Sequence, residues 1–234
     1  MKYILLQARN PNDLAKKEEH QAFADQLNIS VEEIHSIDIL RDVYTLESLN
    51  GYKGLLVGGS GEYSVLDEDQ RIQYFIDFLG QTTTIDYPVF ASCFGFQALV
   101  LALGGTVVKD VANAEVGTYL LERTEMAAKD PLFSALPQEF FAQLGHQDRA
   151  DILPDSVIHL ARSKATEYQA LKVKNRPIYA TQFHPELSWK ENKKRFGRYM
   201  SIYGKLFGEE EAQRRMDSHR PSPESNGLLQ QFHS

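Results

Sequence analysis

The 234-residue chain has one cysteine and one tryptophan. A lone cysteine closes no internal disulfide, so the fold must rest on a packed core, and a reducing cytoplasmic setting is expected. No apolar run approaches the ~18 residues of a membrane span. Ile4-Leu5-Leu6 is too short for a signal-peptide core and is followed by no cleavage pattern. Positive charge is in deficit, with 25 Lys and Arg against 32 Asp and Glu for a formal net charge of −7. That balance excludes a phosphate-tracking surface and argues against nucleic-acid binding. There is no internal repeat and no G-x-x-x-x-G-K-[ST] phosphate loop. None of the seven histidines sits with cysteines at metal-ligand spacing, so neither a metal nor an organic cofactor is expected.

What is present is an alternation of strands and helices. Lys2 to Ala8 reads as a first strand. Asp13 can cap a helix running to Leu27, on which the charges from Lys16 to His20 read as a solvated face. Val31 to Ile39 and Tyr52 to Val57 read as further strands, with Leu46 to Leu49 a short helix or loop between them. A helix over Asp67 to Leu79 carries Ile72, Phe75, Ile76 and Leu79 at core-packing spacing. Val89 to Ala91 is a short buried strand, Phe94 to Leu103 a buried helix, and Thr106 to Val108 the start of another strand. This alternation predicts right-handed βαβ units and a mainly parallel sheet with helices on both faces.

After Glu115 the pattern changes. Residues 117–121, 140–144, 157–160, 169–173 and 178–183 read as strands separated by turn-like segments, followed by one helix from Ser188 or Trp189 to Phe207. Residues 1–208 therefore form one α/β domain. The segment 209–234, charged and then rich in Ser, Pro and Asn, is expected to be a disordered tail, although Leu228, Leu229 and Phe232 could dock on a partner or on the body.

The chemistry concentrates where the strand Val89–Ala91 meets the helix from Phe94. Cys93 lies between them, and Gly95 stands where a Cβ would crowd the turn. A strand, a tight turn bearing one nucleophile and a helix make a nucleophile elbow, here with Cys in place of Ser. The positive end of the helix favours the thiolate. By itself a lone cysteine is as readily a small buried hydrophobe. A cysteine nucleophile needs a base, and the base needs a group to orient it. His184, directly after a buried-type strand, can be the base, and Glu186 can reach back past Pro185 to the imidazole. Gly58-Gly59 also follows a strand, and in a parallel sheet the strand ends share one edge. The Gly59 N–H could thus face a substrate oxygen, with the Phe94 N–H as a second donor.

Ser92-Cys93-Phe94-Gly95-Phe96-Gln97, Gly58-Gly59 and Phe183-His184-Pro185-Glu186 together resemble the class I, triad-type glutamine amidotransferase family, over residues 1 to about 207. Free-standing subunits similar to the amidotransferase domain of GMP synthase match best, and Gly145-His146-Gln147-Asp148 resembles their His-x-Asp stretch. The resemblance implies a flavodoxin-like sheet with a small added antiparallel patch. It also implies release of ammonia from the glutamine side chain, with Cys93 as nucleophile, His184 as base and then acid, and Glu186 as orienting carboxylate. Gly59 and Phe94 would supply the oxyanion hole. Gly58, Gln97, Gly145 and His146 would line or grip the substrate. The chain departs from the family pattern at Ser60 (often proline), Ala91 (often glycine) and Ser92 (usually aliphatic).

Two enzymatic readings follow. Ammonia passes to a separate synthetase subunit, since no synthetase half is present here, or the protein alone hydrolyses γ-glutamyl amides or peptides. A non-catalytic module that merely kept the fold is disfavoured by the intact Cys93, His184 and Glu186.

Overall fold

The computed structural model describes residues 2–234. Among the described residues, eleven strands and seven α-helices follow in the order β1 (Tyr3–Gln7), α1 (Leu14–Leu27), β2 (Ile34–Asp38), β3 (Gly54–Val57), α2 (Gln70–Thr82), β4 (Val89–Ser92), α3 (Phe94–Ala102) and β5 (Thr106–Lys109). Then come β6 (Glu115–Arg123), β7 (Glu139–His146), β8 (Asp148–Ile152), β9 (Val157–Ser163), β10 (Ala170–Val173) and β11 (Ile178–Thr181). The chain closes with α4 (Trp189–Arg198), α5 (Met200–Phe207), α6 (Glu209–Asp217) and α7 (Pro223–His233).

Nine strands form one sheet in the order β2-β1-β3-β4-β11-β10-β9-β6-β7, and β5 pairs with β8 in a separate antiparallel ribbon. From β2 to β11 every pairing is parallel, in the doubly wound order of a flavodoxin-like sheet. From β11 outward every pairing is antiparallel. The expected fold class holds. The antiparallel addition is four strands long and continues the main sheet.

Side chains alternate across the pleat and build two cores. Ile4, Leu6, Leu55, Val57, Val89 and Ala91 face α2 and α3. Tyr3, Leu5, Leu56 and Phe90 face the opposite side, where α1 and α7 contribute Phe23, Leu27, Leu228 and Leu229. The Asp13 carboxylate caps α1 by accepting from the Ala15 N–H at 2.8 Å, as expected. Gly208, with φ +86, ends α5.

Three expectations are corrected. Residues 209–217 and 223–233 are helical where a disordered tail was expected. Pro223 opens α7 with its φ already set for a helix. Leu228 and Leu229 are then buried, the Phe232 ring packs edge-on against Phe90 at 5.4 Å, and the His233 Nδ1 lies 2.8 Å from the Tyr3 hydroxyl. The tail could not fold alone, but the sheet supplies the apolar surface it lacks. The single helix expected from 188 to 207 is two, α4 and α5, which break at Tyr199 (φ −102, ψ 11). Finally, the face from Lys16 to His20 is not wholly solvated, because Glu19 is fully buried.

Because Leu229 is fully buried, Leu229→Ala is expected to lower the unfolding free energy by about 2–5 kcal/mol, the usual range for a core leucine. Urea denaturation measures this, and a tail detached from the body would give no change.

Candidate active site

The site lies at the carboxyl ends of β3, β4 and β11, the edge where ligands bind in such sheets. β4 runs between β3 and β11, and the Cys93 N–H donates to the Thr181 carbonyl at 2.7 Å, so the chain stays in register to the last residue before α3. At Cys93 it turns sharply, with φ +52 and ψ −100, a region that non-glycine residues rarely occupy. A Cβ on Gly95 would stand 2.6 Å from Val57 Cγ1 and 3.1 Å from the Ala91 Cβ. Glycine there lets α3 lie down on β3 and β4, as the sequence suggested. Phe94 takes the first position of α3, where a backbone N–H has no acceptor within the helix.

His184 follows β11, and its N–H donates to the Gln143 carbonyl at 2.8 Å. Its Nδ1 lies 2.6 Å from Glu186 Oε1, and the carboxylate is fully buried. With Nδ1 engaged, Nε2 is left for Cys93. Burial alone would push the imidazolium towards the neutral form. The negative charges of Glu186 and then of the Cys93 sulfur outweigh it, and the pKa of His184 is pushed up to about 10. The structure thus brings Cys93, His184 and Glu186 together.

The glycine pair is placed as expected but used differently. The Gly59 N–H donates to Glu19 Oε1 at 3.0 Å, so in this structure it does not point into the cleft. A Cβ on Gly59 would stand 2.7 Å from the His184 Cε1, and one on Gly58 would stand 2.5 Å from the Glu19 carboxylate. The two glycines leave room for a catalytic-type imidazole on one side and a buried carboxylate on the other. Glu19 also accepts from Gln7 Nε2 at 2.9 Å and from Arg9 Nη2 at 2.8 Å. Burial pushes the Glu19 carboxyl towards protonation, but the Arg9 guanidinium outweighs it and the net shift is downward. No spacing rule marked Glu19. The only hint was an acidic side chain on the sheet-facing side of an otherwise apolar stripe.

Gln97 lies in the cleft wall, but both its N–H bonds are spent inside the protein. Its Nε2 donates to the Asp148 carbonyl at 2.8 Å and to Gln182 Oε1 at 3.2 Å. A backbone carbonyl can only accept, so this chain of bonds fixes the direction of both amides. Gln182 must therefore present Nε2 to the Cys93 sulfur, 3.7 Å away. Gln182, fully buried, is a second residue the sequence did not single out. Gly145 borders the imidazole, since a Cβ there would stand 3.9 Å from His184 Nε2. The His146 ring is held between the Asp148 carbonyl (3.1 Å from Nδ1) and Glu115 Oε2 (3.3 Å from Nε2). Ser60, in the position where the family often has proline, donates to the Ala8 carbonyl at 2.9 Å and accepts from the Tyr63 N–H at 3.0 Å, so the serine itself folds this loop.

The cleft above the sulfur measures about 450 Å³, and Cys93, Phe94, Gln97, Gly145, His146 and Tyr203 contribute to its walls. Burial, then Tyr199, then the Cys93 sulfur push the Tyr203 hydroxyl up to about 12, so this hydroxyl stays protonated.

A cysteine on a strand–helix elbow beside a buried His–Glu pair, at the carboxyl edge of a doubly wound sheet, is the arrangement of the α/β enzymes that carry a nucleophile at a strand–helix turn. The chain belongs to the glutamine amidotransferase class-I family, whose model matches residues 20–199. It is 30% identical to the glutamine-hydrolysing GMP synthase subunit of Methanosarcina acetivorans over 72% of this chain and 80% of that one. It is 38% identical to the GMP synthase of Thermosipho melanesiensis over 44% of this chain, a match spanning only 19% of that enzyme's length. Among solved structures, a glutamine amidotransferase from Thermotoga maritima shares the fold with a TM-score of 0.72 at 20% identity, over 99% of this chain and 96% of that one. One from Methylobacillus flagellatus does so with a TM-score of 0.69 at 19% identity, over 99% and 92%. No described helix is long and apolar enough to cross a membrane.

The raised pKa of His184 has a signed consequence for stability. A folded-state value of about 10 against an ordinary 6.5 means the folded protein holds a proton that the unfolded chain gives up between those values. This contribution is complete below about pH 6.5 and lost as pH rises through about 10. Urea unfolding measured across that range is expected to show stability falling with pH. In Glu186→Gln the fall should be shallower.

Proposed function

We propose that this protein hydrolyses the side-chain amide of glutamine through a γ-glutamyl thioester on Cys93. The observation that carries the reading is the buried His184–Glu186 contact of 2.6 Å, set beside a cysteine on a strained elbow. The Glu186 carboxylate holds the Nδ1–H of His184 and stabilises the imidazolium, which in turn stabilises the thiolate. The thiolate attacks the carboxamide carbon, and the carbonyl oxygen becomes an oxyanion. The Phe94 N–H and the positive end of α3 face that oxygen, and one such donor is typically worth about 2.7–4 kcal/mol. His184 then passes its proton to the amide nitrogen, the C–N bond breaks and ammonia leaves. In the second half-reaction His184 takes a proton from water, hydroxide adds to the thioester carbon, and glutamate departs as the sulfur is released.

The substrate's α-amino and α-carboxylate groups would be read by the Gln97 Oε1, the one polar atom of that side chain not tied up as a donor, and by the backbone at Gly145 and His146. The relatives named as glutamine-hydrolysing subunits of GMP synthase support a further step in this reading: a separate synthetase subunit takes the ammonia.

Cys93→Ala and Cys93→Ser are both expected to abolish glutamine hydrolysis while circular dichroism and the urea midpoint show a retained fold. Release of glutamate from either variant at more than a few per cent of the native rate would end the assignment.

A further inference from the structure

The family match stops at residue 199, yet the chain beyond it returns to the active site. Asn226, on the C-terminal helix α7, donates through Nδ2 to the Pro185 carbonyl at 2.7 Å and to the Leu187 carbonyl at 2.9 Å. These carbonyls flank Glu186 on either side. Both acceptors are backbone oxygens, so the amide orientation is fixed, and the Ser222 hydroxyl lies 3.2 Å from its Oδ1. The approach to α7 makes a second link. Gln143 Nε2 donates to the Arg220 carbonyl and to the Ser222 hydroxyl, each at 3.0 Å, while the Gln143 carbonyl accepts the His184 N–H. Nothing in packing α7 against the sheet requires an amide at this position, since Leu228, Leu229 and Phe232 supply the apolar contact.

We infer that Asn226 is a positioning residue for hydrolysis, clamping the turn from His184 to Leu187 so that the Glu186 carboxylate stays on the imidazole. The inference rests on the proposed roles of Cys93, His184 and Glu186. Two carbonyls pinned by one amide leave the turn no freedom to roll, and a roll of even a fraction of an ångström would lengthen the Glu186 contact. The C-terminal extension is thereby part of the active site without touching substrate. The charged and titratable groups around the imidazole are Glu186 on the same turn, Cys93 on the elbow, Arg195 on α4 close to Glu186, and Arg9, Arg198, Tyr199 and Tyr203, which share a small cavity with it. Of these only Glu186 depends on the clamp.

Asn226→Asp is nearly isosteric but sets a carboxylate against two carbonyls. In the full-length protein it is expected to lower kcat for glutamine about tenfold or more, with KM changed less than twofold. The alkaline limb of kcat/KM should move to lower pH, because a loosened Glu186 no longer holds the imidazolium. Asn226→Ala, which removes the donor without adding repulsion, should show the same signs with smaller size. A role confined to holding α7 would lower the urea midpoint while leaving kcat and the alkaline limb at native values, and that result in both variants would overturn the clamp. If Cys93→Ser is inactive in the same assay, such an outcome removes only the clamp. If Cys93→Ser is active, the proposed chemistry itself falls.

Discussion

Everything at this site depends on a backbone conformation the chain would not choose. At Cys93 the φ of +52 with ψ of −100 lies where a side chain costs roughly 1–3 kcal/mol, and such strain persists only when the surroundings over-determine it. Here they do. β4 is buried between two parallel neighbours, the Cys93 N–H is taken by Thr181, and α3 is pressed onto Val57 and Ala91 through the missing Cβ of Gly95. The strand cannot continue and the helix cannot start earlier, so the sulfur is left at the tip of the turn, at the end of a helix dipole. Two hydrophobic cores on opposite faces of the sheet hold this geometry, and the return of α7 completes the second of them.

A second constraint is electrostatic. Glu19 is a fully buried carboxylate with Arg9, Gln7 and the Gly59 N–H as partners. A buried ion pair is weak evidence for stability, because desolvation offsets most of the attraction. Its structural effect is clear all the same. The carboxylate sits where a Cβ on Gly58 would be, and it takes the backbone donor that the family resemblance assigned to the oxyanion. In the proposed reaction this leaves Phe94 and the end of α3 to face the substrate oxygen, while the Gly59 peptide lies beside His184.

Much of this was legible in the sequence, and the failures have identifiable causes. The parallel half of the sheet followed from apolar runs alternating with helical periodicity. The elbow and His184-Pro185-Glu186 were recognisable because strand, turn and helix lie contiguous in the chain. What escaped was non-local. Glu19 read as one of the solvated charges from Lys16 to His20 and Arg9 was not singled out, because only the fold turns them inward. Gln182 is oriented by Gln97, 85 positions away, so no local pattern could show its amide reaching the sulfur. The tail read as disordered because its composition cannot support a core, and composition says nothing of an apolar face elsewhere waiting for Leu228 and Leu229. The break at Tyr199 lay within an apolar stripe that is continuous across it.

The protonation of His184 links these parts. Burial opposes a charged imidazole, and only two nearby negative charges reverse that preference. One belongs to Glu186, on a turn held by the C-terminal helix. The other belongs to the nucleophile itself, on the strained elbow. In the proposed reaction the imidazole therefore enters the first step already carrying its proton, as an acid aimed at the leaving nitrogen. As the sulfur becomes acylated its negative charge disappears, and one of the two supports for the imidazolium goes with it. The proton is then easier to give up at the moment the amide nitrogen needs it, and the neutral imidazole that remains is the base the second step requires. The same pair of charges thus sets both halves of the cycle, and their spacing is fixed by strand ends rather than by flexible loops.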